Sequence, residues 1–217
     1  MLQIAIDGPA GSGKSTISKI IANRLNINYL DTGAMYRMCT LEVLNKMVDL
    51  NDKEAIMKCI KAIDIQIQDN RFYLNGDDVS EEIRLERVSQ NVSKVAAIKF
   101  VREKMVSIQK KIASKTDVIM DGRDIATHVL PDSNNKFYLN ATVDERAKRR
   151  YNELKNKGLS ENFDQVKKSI ITRDDYDMNR NHAPLIKSDD AIEVNTTNRS
   201  IEEVVQYILE RVSNTYD

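Results

Sequence analysis

The sequence predicts an α/β fold: a doubly wound, parallel, five-stranded sheet with an antiparallel β insert and a small helical lid. Three observations carry this reading. The chain begins strand, glycine loop, helix, over residues 2 to 25. At least five short apolar runs alternate with helical segments, the order that builds a parallel sheet with crossover helices. Between them, Ile63-Asp-Ile-Gln-Ile-Gln68 alternates apolar and polar residues and is followed by Asn75-Gly-Asp-Asp, a tight-turn signal for an antiparallel hairpin.

The first turn organises the chain. Leu2 to Asp7 is a short apolar run. It leads into Gly8-Pro9-Ala10-Gly11-Ser12-Gly13-Lys14-Ser15, then Thr16, and the helical stretch to Leu25. Gly-x4-Gly-Lys-Ser between a strand and a helix is the phosphate-binding loop in its required context. The glycines let backbone N–H groups turn onto an anion, and the helix start adds unpaired N–H groups and the positive end of its dipole. Lys14 is predicted to reach the β- and γ-phosphates of a nucleoside triphosphate, and the Ser15 hydroxyl to bind Mg²⁺. A turn that merely joins strand to helix fits the flanks less well.

The 217 residues allow one large domain or a core with small insertions, and 41% hydrophobic content is enough for a real core. Lys plus Arg equals Asp plus Glu at 33 each, so no overall field favours nucleic acid or a membrane surface. Cys39 and Cys59 have no metal-type spacing, and His128 and His182 are far apart, which argues for a reduced protein without a metal cluster. With no leader or spanning segment evident, a cytoplasmic protein is expected.

Further along, Tyr29 to Asp31 suits a second strand, with a helix expected from Ala34 to Leu44 and Arg37 in its first turn. Arg37 is either a solvated surface residue or the ligand of a second phosphate. Residues 85 to 115 read as mostly helical, with Val95, Ile98, Val101, Met105, Ile108 and Ile112 as the buried stripe and Arg102 at its edge. Val118 to Asp121 is the next strand. Its terminal carboxylate, Asp121, suits pairing with the loop at Mg²⁺ or one of its waters. Gly122, Arg123 and Asp124 come next at the strand's carboxyl end, where open α/β sheets place ligands. They make either a ligand pair or an ion pair across a loop. Lys136 to Asn140 is a further strand.

Asp144 to Lys155, with Arg146, Arg149 and Arg150, and Gln165 to Arg173 form two basic helical arms around a polar interruption at 156–163. They read as a lid that closes over phosphates or as a solvated hairpin. Arg173, Asp177 and Arg180 share one helix face if that stretch is helical, either as a surface ion pair or as a sugar-phosphate site. Ala191 to Asn195 is the last strand, before an amphipathic helix from Ser200 to Val212.

Four segments together resemble the bacterial cytidylate (CMP) kinase family, a P-loop NTPase-type fold. They are Ile6-Asp-Gly-Pro-Ala-Gly-Ser-Gly-Lys-Ser15, Leu30-Asp-Thr-Gly-Ala-Met-Tyr-Arg37, Asp121-Gly-Arg-Asp124 and Arg173-Asp-Asp-Tyr-Asp-Met-Asn-Arg180. The resemblance runs nearly end to end. It implies transfer of the ATP γ-phosphate to CMP or dCMP with Mg²⁺, usually by a monomer. It implies a core of 1–48, 85–148 and 175–217, a monophosphate-binding insert of about 49–84 and a lid of about 149–174. By the same resemblance, Arg37, Arg123 and Arg180 hold the acceptor phosphate. Arg173 and Asp177 meet the ribose, and Ser93, Arg102 and Asp124 read the base. Thr32 stands where the family often has serine and keeps the hydroxyl. Arg149 and Arg150 are the expected lid arginines. Ser93 and Arg102, nine residues apart, face one ligand only if the helix breaks near 97–100.

Other readings of the residues are a kinase for UMP or AMP, a P-loop ATPase or switch acting on another protein, and, least supported, a nucleic-acid-binding module. A panel of acceptors separates the first. ATP hydrolysis without any acceptor marks the second.

Overall fold

The computed structural model describes residues 1–68, 71–156, 158–159 and 162–212. It divides into two compact units: Met1–Leu30 with the described residues from Lys110 onward, and the described residues of Asp31–Gln109.

The first unit holds a five-stranded parallel sheet. Its strands are β1 (Gln3–Asp7), β2 (Asn28–Asp31), β3 (Val118–Gly122), β4 (Asn135–Asn140) and β5 (Ile192–Asn195), in the order β2-β3-β1-β4-β5. Order reverses beside β1, so the loop after β1 opens at the switch point where such sheets bind ligands. The β1–β3 register sets Ile6 against Asp121 and Asp7 against Gly122. Helix α1 (Lys14–Leu25) and the C-terminal helix (Ile201–Leu209) share one face of this sheet. Ile17 and Ile21 of α1 and Val204, Val205 and Ile208 meet Ile4, Ile6, Ile119, Phe137 and Leu139 there. Tyr138 alternates to the opposite face, against Leu185 and Ala191. The last helix starts with a capping box between Ser200 and Glu203.

The second unit contains α2 (Thr32–Asn45), α3 (Lys53–Lys61), α4 (Glu86–Ala96), α5 (Lys99–Ala113, whose last turns belong to the first unit) and a three-stranded antiparallel sheet. The first strand of that sheet, Ile65–Gln68, lies in the alternating run and pairs antiparallel with Arg71–Leu74, which in turn pairs with the strand beyond the expected turn. Asn75 and Gly76, both at positive φ, form the expected tight turn and lead the chain into the third, Asp77–Asp78.

Three local expectations are corrected. The helix after β2 starts at Thr32, because the Asp31 carboxylate accepts the Ala34 N–H at 2.9 Å and caps it, so Arg37 lies in the second turn rather than the first. Residues 53–61 are helical, although the sequence reading placed no helix there. Asp52 caps the helix, and Ile56, Cys59 and Ile60 form its buried stripe. On α5 the buried ridge runs Val101, Met105, Gln109, Ala113 at four-residue steps, leaving Ile108 and Ile112 half-buried.

Helix α6 (Val143–Asn156) and helix α7 (Phe163–Asn179) are the two expected arms. Ala147 and Leu154 meet Val166 and Ile170 along their seam, and Tyr151 meets Phe163 edge-on with ring centroids 5.9 Å apart. The polar interruption between them lies partly outside the described residues (157, 160 and 161).

Candidate active site

The loop leaving β1 takes its shape from glycine. Gly8 has φ +150°, and a Cβ there would stand 2.1 Å from the Leu139 carbonyl oxygen. Gly13, at φ +94°, is the N-cap of α1 and offers no side chain to the helix N–H groups. Lys14 is buried and curls back over the loop, donating to the Pro9 carbonyl at 2.8 Å and to Ser12 Oγ at 3.3 Å. Burial, and then the charge of Arg123, holds its amine well below the usual lysine range, while Asp121 pulls it back up.

Asp121 ends the apolar part of β3, one residue before Gly122. It accepts from Ser15 Oγ at 2.9 Å and from the Tyr29 hydroxyl at 2.7 Å. The expected pairing of the acidic strand with the loop is therefore present. Tyr29 is its unexpected third member, a residue with no signal in the sequence beyond its place on β2. A carboxylate and a hydroxyl side by side make a hard oxygen donor set of the kind Mg²⁺ takes.

Beyond β3, four charged side chains converge. Arg123 Nε donates to Asp177 Oδ2 at 2.8 Å. Arg180 lies 3.9 Å from Asp177 Oδ1 and 3.6 Å from Asp124 Oδ1. Its Nε donates to the Ala183 carbonyl at 2.7 Å. Burial raises the Asp177 pKa, but Arg123, Arg173 and Arg180 together outweigh it and hold the carboxyl below the usual range. Burial likewise opposes the Arg123 charge, and Asp177, Asp174 and Asp121 outweigh it. The inward face of α7 explains the cluster. At Val166 and Ile170 it is apolar, and from Arg173 onward it turns charged, with Asp174, Asp177 and Arg180 all buried. Two arginines around a buried carboxylate, next to a second carboxylate, can bind one phosphate and the polar groups attached to it.

Two further residues shape this site, and both were missed as site residues. Asp174 accepts from the Ala10 N–H at 3.0 Å and pairs with buried Arg146, which donates to the Ala10 carbonyl at 2.9 Å. Both backbone groups of one loop residue are thus gripped by α6 and α7. Asp7 accepts from the N–H groups of Ile125 and Ala126 at 2.9 and 2.8 Å. An acidic residue closing an apolar strand was its only sequence signal. Arg149 bonds Thr196 (3.0 and 2.7 Å), Glu145 (3.0 Å) and the Ser12 carbonyl (3.5 Å), whereas Arg150 pairs with Glu153 at 2.9 Å.

In the second unit, Arg37 donates to the Ile83 carbonyl at 3.1 Å and to Ser89 Oγ at 2.9 Å. Thr32 is buried in the first turn of α2. The chain does break between α4 and α5, at Ala97 and Ile98. Arg102 is buried beside the break, donates to the Ala96 carbonyl at 3.2 Å and lies 5.2 Å from the centre of the Tyr36 ring. Ser93 is half-buried on α4.

A sequence profile described as cytidylate kinase matches residues 4–214. A protein named cytidylate kinase from Clostridioides difficile (strain 630) is 50% identical over 212 residues, spanning 98% of each chain. One of the same name from Alkaliphilus oremlandii (strain OhILAs) is 51% identical over 96% of each chain. Among solved structures, an uncharacterized protein from Eubacterium ventriosum ATCC 27560 superposes with a TM-score of 0.54 at 14% identity over 98% of each chain, a likeness of fold.

Proposed function

Because the chain belongs to the cytidylate kinase family, we propose that it transfers the γ-phosphate of ATP to CMP and dCMP, giving CDP or dCDP and ADP. The observation that carries this reading is the presence of two sets of groups within one unit, close enough that Arg123 acts on the Lys14 charge and Asp121 on that of Arg123. The glycine loop with Lys14, Ser15 and Asp121 suits a nucleoside triphosphate. The Arg123, Asp177, Arg180 and Asp124 cluster suits a second, phosphorylated ligand.

The attacking group is a phosphate oxygen, so no strong general base is needed, and catalysis is positioning and charge stabilisation. The loop N–H groups and Lys14 hold the donor. Ser15 would hold Mg²⁺, with Asp121 acting directly or through water, and the ion would neutralise charge on the donor phosphates. Arg123 and Arg180 hold the acceptor phosphate, with Arg173 and Asp177 at its sugar and Asp124 at its base. Of the second unit, Arg37 is assigned to the phosphate, and Ser93 and Arg102 to the base. Those roles rest on the family likeness. So do the lid roles of Arg149 and Arg150, the division into core, insert of about 49–84 and lid of about 149–174, and a monomeric state; a cytoplasmic location rests on the sequence reading alone. No helix among the described residues is long and apolar enough to cross a membrane.

The test is ADP release with CMP, dCMP, UMP or AMP as acceptor. CMP and dCMP should give the fastest turnover. Equal release without any acceptor would make the chain an ATPase instead.

A further inference from the structure

We propose that Asp7 is a positioning residue for acceptor recognition: by holding the turn just after Asp124, it keeps the Asp124 carboxylate directed at the acceptor. This rests on the reading of Asp124 as the base-recognising carboxylate.

Ile125–Val129 forms a π-helical turn that begins two residues beyond β3, and Asp124 occupies its N-cap position. An aspartate there ordinarily folds its carboxylate back onto the N–H two or three residues further on. Asp124 makes no such capping bond, and its φ of −147° and ψ of 28° are not those of a capping residue in extended conformation. Of the groups such a cap would take, the Ala126 N–H is held instead by Asp7 Oδ2, and Asp7 Oδ1 holds the neighbouring Ile125 N–H. Asp7 lies more than a hundred residues away in sequence, but the β1–β3 register sets it beside Gly122, so it meets the chain where it leaves the sheet. Asp124 is consequently directed at Arg180, at 3.6 Å, with His128 Nδ1 at 4.0 Å from its other oxygen. Asp7 is 1% exposed, so bulk solvent does not compete for these N–H groups.

Loss of the Asp7 carboxylate has a definite chemical consequence. Unsatisfied buried N–H groups recruit the nearest acceptor. For the Ala126 N–H, Asp124 is that acceptor, already at the N-cap. It would turn inward to cap the helix and withdraw from the acceptor base. A residue at the end of the donor-loop strand thus governs selectivity for the other substrate.

The experiment compares wild type with Asp7→Asn, which keeps the size and one carbonyl acceptor. We expect KM for CMP to rise about tenfold, the scale of one buried hydrogen bond, and the preference for CMP over UMP to shrink by a similar factor, while KM for ATP changes less than about twofold. A rise confined to KM for ATP, or a uniform loss of kcat with the CMP preference intact, overturns the proposal. Wild-type turnover of CMP in the same assay tests the underlying function separately: if it is absent, the function fails and not only the role of Asp7. Amide hydrogen exchange on the wild type covers the case of a variant that does not fold. The Ile125 and Ala126 amides should exchange as slowly as those of β1, and fast exchange contradicts the anchoring.

Discussion

Lys14 bonds the Pro9 carbonyl and Ser12 of its own loop and is buried among them, so its ammonium sits within reach of any phosphate the loop holds. Replacing it with alanine removes the cation of the loop, and steady-state turnover should fall by about 10²–10³, as when one preorganised charge is deleted elsewhere. Near-normal turnover in Lys14→Ala would contradict the donor assignment. Asp124 makes a different prediction. Asp124→Ala should lower kcat/KM for CMP relative to UMP more than it alters KM for ATP. Equal losses for both acceptors would make the carboxylate structural. At this scale the sequence is informative where a residue type and its spacing mark a motif, even when the partner is distant, as for Ser15 and Asp121. The glycine spacing, Lys14, Ser15 and the Asp121–Gly122–Arg123–Asp124 run all sit in motifs a few residues long. Asp7, Tyr29 and Asp174 are not legible as site residues, because no spacing marks their roles and their partners lie 92 to 164 residues away.

Among the elements, α6 and α7 show how a charged helix can be structural at its base. The polar content of Asp144 to Lys155 suggested a lid, yet Arg146 points inward and joins Asp174 to hold both backbone groups of Ala10. Asp174→Ala leaves a buried guanidinium without its carboxylate and should cost about 3–5 kcal/mol, read as a lower denaturant midpoint. No change in the midpoint would mean that the pair contributes little. Gly8→Ala forces a Cβ against the Leu139 carbonyl and should abolish ATP binding or folding altogether. Apolar runs and alternation located every strand to within a residue or two. Helix α3 escaped because it is short, 9 residues, and its three buried side chains lie in a stretch read as belonging to a β insert. The break between α4 and α5 was needed for Ser93 and Arg102 to share a ligand. No glycine or proline marks it, and Arg102 closes on the last carbonyl before it, that of Ala96.

For the whole molecule, two buried carboxylates make opposing contributions to the dependence of stability on pH. Burial pushes the Asp7 pKa up to about 7, although the N–H groups of Ala126 and Ile125 pull it down. The folded protein therefore holds this proton more tightly than the unfolded chain does. The Asp7 contribution is most favourable below the ordinary carboxylate range and is lost as pH rises toward about 7, above which it is constant. Asp177 works in the opposite sense. Its depressed pKa contributes stability above the ordinary carboxylate range, and that stability is lost as pH falls through the depressed folded pKa. Unfolding free energy measured across this range should lose its downward slope toward neutrality in Asp7→Asn, and an unchanged slope would show that Asp7 is ionised throughout.

The two-substrate reading meets its most direct test in the fate of the γ-phosphate. ATP labelled at that group is incubated with the protein, CMP and Mg²⁺, and the products are separated. Label in CDP, with unlabelled ADP formed in equal amount, is the predicted result. Label released as inorganic phosphate, with CMP unconsumed, would contradict it.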